Sequence, residues 1–459
     1  MKQNARKVAC FLLICLGALM LYIGYLQFVR ADFLAHHPLN RRNVQEELNI
    51  QRGRILAADG EVLAETTDLG RLYPLGEAAS PVTGYLGENI GSAGLEAYAN
   101  GELTGLTNDL ERLGPIAQIL RPEGGSDLWL TIDSEAQTAA YRGLDGAKGA
   151  AVVLDATTGA VLALVSSPAY NPSSAEERWS ALVTDEDAPL LNRALQGLYP
   201  PGSTIKPLIA DGALTEELTD FHEVFHCDGE LNVGGGQTIR ESHGAVHGSV
   251  KLGEALAKSC NVAFGTLAMR LEAKGLATTF KRFGFEEKLA NELVETPSRL
   301  PDFGDLSQGE LAQIGIGQST LLVTPLRMAL LMAAFTNGGA VMRPYLIDKI
   351  TSAGGMILRE TKPEVWYEAT EAKRAATIND WLEDVVTSGT GGEAYVKGVR
   401  VTGKTGTAEN GSGEDHAWFI GSAELDSRRI ALAIIVENGG SGGAVAAPIA
   451  RQIIQSLAR

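Results

Sequence analysis

Residues 8–29 carry no charge and are almost all apolar, and no other feature restricts the chain's possible folds as much. Lipid offers a backbone no hydrogen-bond partners, so a spanning segment must be a helix that bonds to itself. At 1.5 Å per residue these 22 residues make a helix of about 33 Å, enough to cross the hydrocarbon of a bilayer. Lys2, Arg6 and Lys7 precede the run, which predicts a cytoplasmic N-terminus with everything beyond Arg30 outside. A buried core helix is the alternative, and the terminal position and basic flank argue against it. The run is longer than a usual signal-peptide core and has no small-x-small cleavage site at its end, so an uncleaved anchor is expected. The rest of the 459 residues can hold two or three domains and a large core. A formal net charge of −17 argues against nucleic acid as the main partner, because phosphate binding needs clustered Lys and Arg. Of four cysteines, Cys10 and Cys15 lie in the apolar run, so Cys227 and Cys260 alone cannot make a disulfide-built scaffold.

Taken in order, the chain divides into an anchor (1–30), a small polar spacer or pedestal (31–125) and one large domain (126–459). In the spacer, residues 51–64 read as strand, Asp59-Gly60 turn, strand. In the large domain, 128–132 predicts a strand and 134–144 a helix, and 150–155 and 160–165 flank a turn as a hairpin. A mainly helical region is expected from 203 to about 337, a second hairpin over 418–423 and 430–437, and a closing helix over 447–457. Strands at both ends with helices between predict a mixed α/β (α+β) domain, its first and last strands paired in an antiparallel sheet around a helical insert.

Three short motifs carry chemistry. Tyr199-Pro200-Pro201-Gly202-Ser203 breaks the chain just before a helix, and Lys206 follows Ser203 by three positions. Positions i and i+3 share a helix face, so a lysine amine can lie beside a serine hydroxyl and accept its proton. Ser259-Cys260-Asn261 can turn a hydroxyl and an amide toward one cleft. In Lys404-Thr405-Gly406-Thr407, Thr405 and Thr407 share a strand face, and Gly406 is expected to let a substrate backbone approach. Each motif alone reads better as a cap, a surface lysine or an edge strand. Together, in this order, they form the Ser-x-x-Lys, Ser-x-Asn, Lys-Thr-Gly signature of penicillin-binding proteins and serine β-lactamases.

The chain resembles a class B penicillin-binding protein, a membrane-anchored peptidoglycan D,D-transpeptidase. The resemblance spans nearly the whole sequence. It includes Arg52-Gly53-Arg54-Ile55 and Gly94-Leu95-Glu96 in the pedestal, Leu130-Thr131-Ile132-Asp133, Asn192-Arg193-Ala194, His247-Gly248, Gly317-Gln318, Asn337-Gly338-Gly339 and His416-Ala417-Trp418-Phe419. It implies that Ser203 attacks the penultimate D-alanine carbonyl of a stem peptide, with Lys206 taking the proton. Ser259 would relay that proton to the leaving amine, and Lys404 would hold the network electrostatically. Asn261, Thr405, Gly406 and Thr407 would bind substrate, and the backbone N–H groups of Ser203 and Thr407 would form the oxyanion hole. No metal or organic cofactor is implied. The expected partners are stem peptides ending in D-Ala-D-Ala, β-lactams and a multi-pass glycan polymerase of the shape, elongation, division and sporulation (SEDS) family. Where relatives often carry Asp-Arg-Asn-Gly in the pedestal, this chain has Ala57-Ala58-Asp59-Gly60, which puts pedestal contacts with partners in doubt.

His222, His226, Cys227, His243 and His247 match no zinc-ligand spacing. Cys227 and Cys260 read as buried thiols, since a bridge would restrain the loop that carries Ser259 and Asn261. Trp418 and Phe419 read as strand packing, and His416 as an edge of the cleft. A D,D-carboxypeptidase or β-lactamase would use the same acylation apparatus. A non-catalytic β-lactam sensor or scaffold would need a signalling segment or a broken motif, and neither is present.

Overall fold

The computed structural model describes residues 2–28, 30, 51–106, 124–411 and 413–458. The parts of the expected anchor and pedestal at 29, 31–50 and 107–123 lie outside the described residues. The apolar run forms one helix, α1 (Lys2–Phe28), in which Arg6–Gln27 is long and apolar enough to cross a membrane. Leu13, Ile14, Met20 and Leu21 on it are exposed, as suits a helix meant for lipid rather than for a protein core.

Arg52–Arg459 forms a second unit, built on a five-stranded antiparallel sheet. Its strands are β1 (Gly149–Asp155), β2 (Val161–Ser167), β3 (Arg400–Ala408), β4 (His416–Glu424) and β5 (Arg429–Val436), in the spatial order β3-β4-β5-β1-β2. The first strand therefore pairs with the last, Val152 opposite Ala433, as the sequence predicts. The expected hairpins 150–165 and 418–437 are the pairs β1–β2 and β4–β5. The helices around the sheet are α2 (Ser134–Leu144), α3 (Lys206–Thr215), α4 (Leu252–Ala257), α5 (Asn261–Arg282), α6 (Pro325–Thr336), α7 (Ala372–Thr387) and α8 (Ala446–Leu457). Side chains alternate along a strand, so Val152 and Leu154 of β1 join the core of the helical insert, while Ala151 and Val153 join the core beneath α2 and α8. Burial on both faces is why β1 reads as an unbroken apolar run.

One expectation needs correction. The region 203–337 is not simply helical: Val224–Cys227 pairs with Gly248–Lys251, and Glu230–Gly234 with Gln237–Arg240. The second hairpin turns through Gly234, Gly235 and Gly236, all at positive φ, where a side chain would be strained. These strands are four or five residues long, too short for an alternating pattern to stand out. The pedestal and the large domain share a second sheet. Asp127–Leu130 sits in a six-stranded sheet, parallel to Ile55–Leu56 of the pedestal and antiparallel to Ile347–Thr351. The Arg52-Gly53-Arg54-Ile55 and Gly94-Leu95-Glu96 segments meet there: buried Arg52 pairs with buried Glu96 at 2.8 Å, and Arg71 reaches the same carboxylate at 2.6 Å. Gly53 permits the approach, since a Cβ on it would fall 1.8 Å from the Ser126 carbonyl oxygen.

Candidate active site

Ser203 lies in a single 3-10 turn, Gly202–Ile205, that runs straight into α3. The turn is wedged between two strands of backbone. Gly202 has φ +53, its N–H donates to the Gly317 carbonyl at 2.9 Å, and a Cβ on it would meet the Thr407 carbonyl oxygen at 2.8 Å. Gly317, at φ +76, is tighter still: a Cβ there would fall 2.0 Å from the Gly202 carbonyl oxygen. The motif's position beside β3 therefore depends on two glycines meeting face to face. Trp418 fastens the same turn from below, its indole N–H donating to the Pro200 carbonyl at 3.0 Å.

Lys206 is completely buried, and its Nζ donates to three oxygens: the Ser259 carbonyl (2.6 Å), Ser259 Oγ (3.1 Å) and Asn261 Oδ1 (2.7 Å). An ammonium has three hydrogens, so this set saturates it. Burial pulls its pKa down to about 8, against the opposing pull of the Glu241 carboxylate and Cys260. Ser259 delivers both of its oxygens because it adopts φ +59 between α4 and α5. Cys260, not Ser259 or Asn261, is the N-cap of α5, so those two polar side chains are left for Lys206. Asn261 in turn donates to the Arg240 carbonyl at 2.9 Å.

Lys404 is also fully buried, with its Nζ 3.0 Å from the Thr405 carbonyl oxygen. Burial and the nearby positive charge of Lys206 hold its pKa well below the usual lysine range. Strand β3 is the sheet edge, and α7 covers only its beginning, where Thr402 bonds Asn379 and Arg400 pairs with Glu383. The later stretch faces the Ser203 turn. Thr405 Oγ1 lies 2.5 Å from Thr390 Oγ1, and Thr407 is exposed. A Cβ on Gly406 would meet Thr204 Cγ2 at 2.8 Å, Trp418 Cβ at 3.0 Å and the Pro201 carbonyl oxygen at 3.1 Å. Its missing side chain makes room for the protein's own Ser203 turn. The sequence could not show this, because the turn and β3 are about two hundred residues apart in the chain.

The structure thus joins Lys206, Ser259 and Asn261 by hydrogen bonds and sets β3 beside Ser203. It adds groups the motifs did not reveal. Glu241 is buried behind the Ser259–Asn261 loop and accepts the Val262 N–H at 2.8 Å. Glu437 receives Arg193 Nε at 2.8 Å and the Tyr199 hydroxyl at 2.7 Å, holding the approach to Ser203. The Tyr199 ring stands edge-on to His416 and to Trp418. Glu241 lies in Arg240-Glu241-Ser242-His243, outside all three motifs.

Comparison with known proteins agrees with this architecture. The penicillin-binding protein transpeptidase domain matches residues 149–455, and the penicillin-binding protein A dimerisation domain matches residues 52–120. The peptidoglycan D,D-transpeptidase PbpA of Mycolicibacterium smegmatis is 32% identical over 100% of this chain and 99% of its own length. The peptidoglycan D,D-transpeptidase MrdA of Acinetobacter baumannii is 30% identical over 83% of this chain and 65% of its own. The imipenem acyl-enzyme complex of penicillin-binding protein A from M. tuberculosis is similar with a TM-score of 0.81 at 31% identity, over 89% of this chain and 99% of that one. The D,D-transpeptidase domain from Eggerthella lenta gives 0.80 at 33% identity, over 89% and 98%. With a transpeptidase-domain match over residues 149–455 and a relative 32% identical along its whole length, the chain belongs to the penicillin-binding protein transpeptidase family.

Proposed function

We propose that this peptidoglycan D,D-transpeptidase works through an acyl-enzyme on Ser203. The observation that carries the reading is the buried Lys206, one helical turn past Ser203, with a pKa drawn down to about 8 and an amine held by Ser259 and Asn261. A neutral amine there accepts the Ser203 proton as Oγ attacks the penultimate D-alanine carbonyl of a stem peptide. Ser259, bonded to Lys206, passes the proton to the departing amine, and the terminal D-alanine leaves. The N–H groups of Ser203 and Thr407 stabilise the oxyanion, and Thr405 and Thr407 bind the substrate carboxylate. Lys404 orders the Ser259 side of the network. An amine of a second stem peptide then attacks the ester, forming the cross-link and freeing Ser203. β-Lactams acylate the same oxygen, as the acyl-enzyme complexes of the M. tuberculosis relative support.

Helix α1 anchors the enzyme in a membrane, and the basic residues ahead of it orient the catalytic unit outward. Glycan polymerisation falls to a separate SEDS-family partner. Incubation with benzylpenicillin followed by mass spectrometry tests the acyl-enzyme. A lasting whole-drug adduct on the Ser203 peptide, absent from Ser203→Ala, is the expected result; cross-linking by Ser203→Ala at the wild-type rate rules the mechanism out.

A further inference from the structure

A cavity of about 490 Å³ opens where the pedestal meets the large domain, within the size range of small-molecule sites. Ser166, near the end of β2, lines it, and β2 is the sheet edge opposite β3. Among the described residues, none that lines it belongs to the three catalytic motifs, so it is separate from the Ser203 cleft. Most of the lining is apolar. Val82 and Leu95 come from the pedestal, and Leu195 from the large domain. Tyr98, Leu191 and Val294 also line it and are exposed, which marks an apolar mouth open to solvent.

Two acceptors stand in this lining. Asn192 donates from Nδ2 to the Pro81 carbonyl at 2.9 Å, which fixes the amide. Its Oδ1 is buried and has no hydrogen-bond partner among the described residues. Burying an acceptor without a partner is unfavourable, so this oxygen calls for a donor. Glu292 accepts the Leu346 and Ile347 N–H groups on Oε1, at 2.6 and 3.0 Å, and so offers Oε2 to a ligand. It is the one charged residue among the described lining residues. The Tyr98 phenol shares this space: burial and then the Glu292 charge push its pKa up, with Arg359 opposing. The Thr296 N–H bonds the Leu195 carbonyl at 2.8 Å, which lays the chain around Glu292 beside the turn that carries Asn192.

We propose that this cavity binds a primary ammonium on an apolar chain, its nitrogen donating to Asn192 Oδ1 and paired with Glu292, and its chain held by Val82, Leu95 and Leu195. An ammonium carries three donors and no acceptor, which suits two oxygens in a lining without Lys or Arg. Glu292 repels an anion, and a hydroxyl brings a single, uncharged donor. The face of Tyr98 adds a surface that attracts a cation. Two sources carry this chemistry: a free alkylamine, and the acceptor amine of a stem peptide. The second source rests on the reaction proposed above, and through it the cavity holds a wall strand at a point away from Ser203.

Isothermal titration calorimetry on the full-length chain in detergent tests the site, with hexylamine as the probe and hexanol as its uncharged counterpart. Hexylamine should bind one site per chain with a dissociation constant below about 1 mM, and hexanol at least about tenfold more weakly. Glu292→Gln keeps an acceptor for the Leu346 and Ile347 N–H groups and should weaken hexylamine at least about tenfold, with hexanol little changed. Ala97→Trp fills the cavity from an exposed lining position and should abolish binding of both. Ser203→Ala should bind hexylamine as the wild type does, so failure of the acyl-enzyme reading and failure of this one are distinguishable. A stem peptide without its terminal D-alanines that displaces hexylamine, while its form acetylated on the side-chain amine does not, gives the site to wall strands. Displacement by neither form leaves a free amine as the ligand. No binding of hexylamine up to about 10 mM overturns the proposal, as does equal affinity for amine and alcohol, or equal affinity in the wild type and Ala97→Trp.

Discussion

The acylation rate should follow the protonation of Lys206. Its pKa falls from the ordinary 10.5 to about 8 through burial, which penalises the ammonium more than Glu241 and Cys260 favour it. Only the neutral amine can take the Ser203 proton. On this titration roughly a tenth of the enzyme is competent at pH 7, half at pH 8 and about nine-tenths at pH 9. The second-order rate of acylation by a β-lactam without ionisations in this range should rise about fivefold from pH 7 to 8. It should then rise less than twofold from pH 8 to 9. Stopped-flow fluorescence with a reporter penicillin reads it directly. An unshifted lysine would instead give about a tenfold rise per pH unit up to pH 10. A rate that still climbs tenfold between pH 9 and 10, or one that is flat from pH 6 to 8, refutes the assignment of Lys206 as the base. Stability carries the same sign. Because the folded-state pKa lies below the unfolded one, the buried ammonium destabilises the fold by about 3 kcal/mol at pH 7, and this is regained as pH rises from about 8 to 10.5.

Two further predictions concern the glycines that seat the nucleophile. Gly317→Ala drives a Cβ to 2.0 Å from the Gly202 carbonyl oxygen at φ +76. The left-handed backbone costs about 1–2 kcal/mol and the overlap about 1–3 kcal/mol. The thermal midpoint should fall and acylation slow by more than tenfold, while wild-type values for both would show that the Ser203 turn does not depend on this contact. Gly406→Val tests whether the space beside β3 serves packing or substrate. The added methyl groups press on Thr204 and Pro201, so calorimetry without any ligand should show a lower midpoint. An unchanged midpoint with only the Michaelis constant raised would instead give that space to substrate.

The sequence alone determined whatever depends on near neighbours. The uncharged 8–29 run specified α1, because backbone in lipid must bond to itself. The buried run at 149–155 and the closing apolar segments specified strands, because apolar pattern and turn glycines act over a few residues. Ser203 and Lys206 were legible together because three positions is one helical turn. Tertiary structure decided what depends on distant pairs. Lys206 received its acceptors from residues 259 and 261, Gly202 found Gly317 and Thr407, and Gly406 came to lie beside Thr204. It also joined the pedestal to the large domain through Ile55, Leu128 and Ile350, and brought Cys227, Glu241, His247 and Cys260 into one cluster. None of these contacts follows from local pattern. Each needs the helical insert folded back onto the sheet, and the burial that lowers the pKa of Lys206 arises only when that insert closes over it.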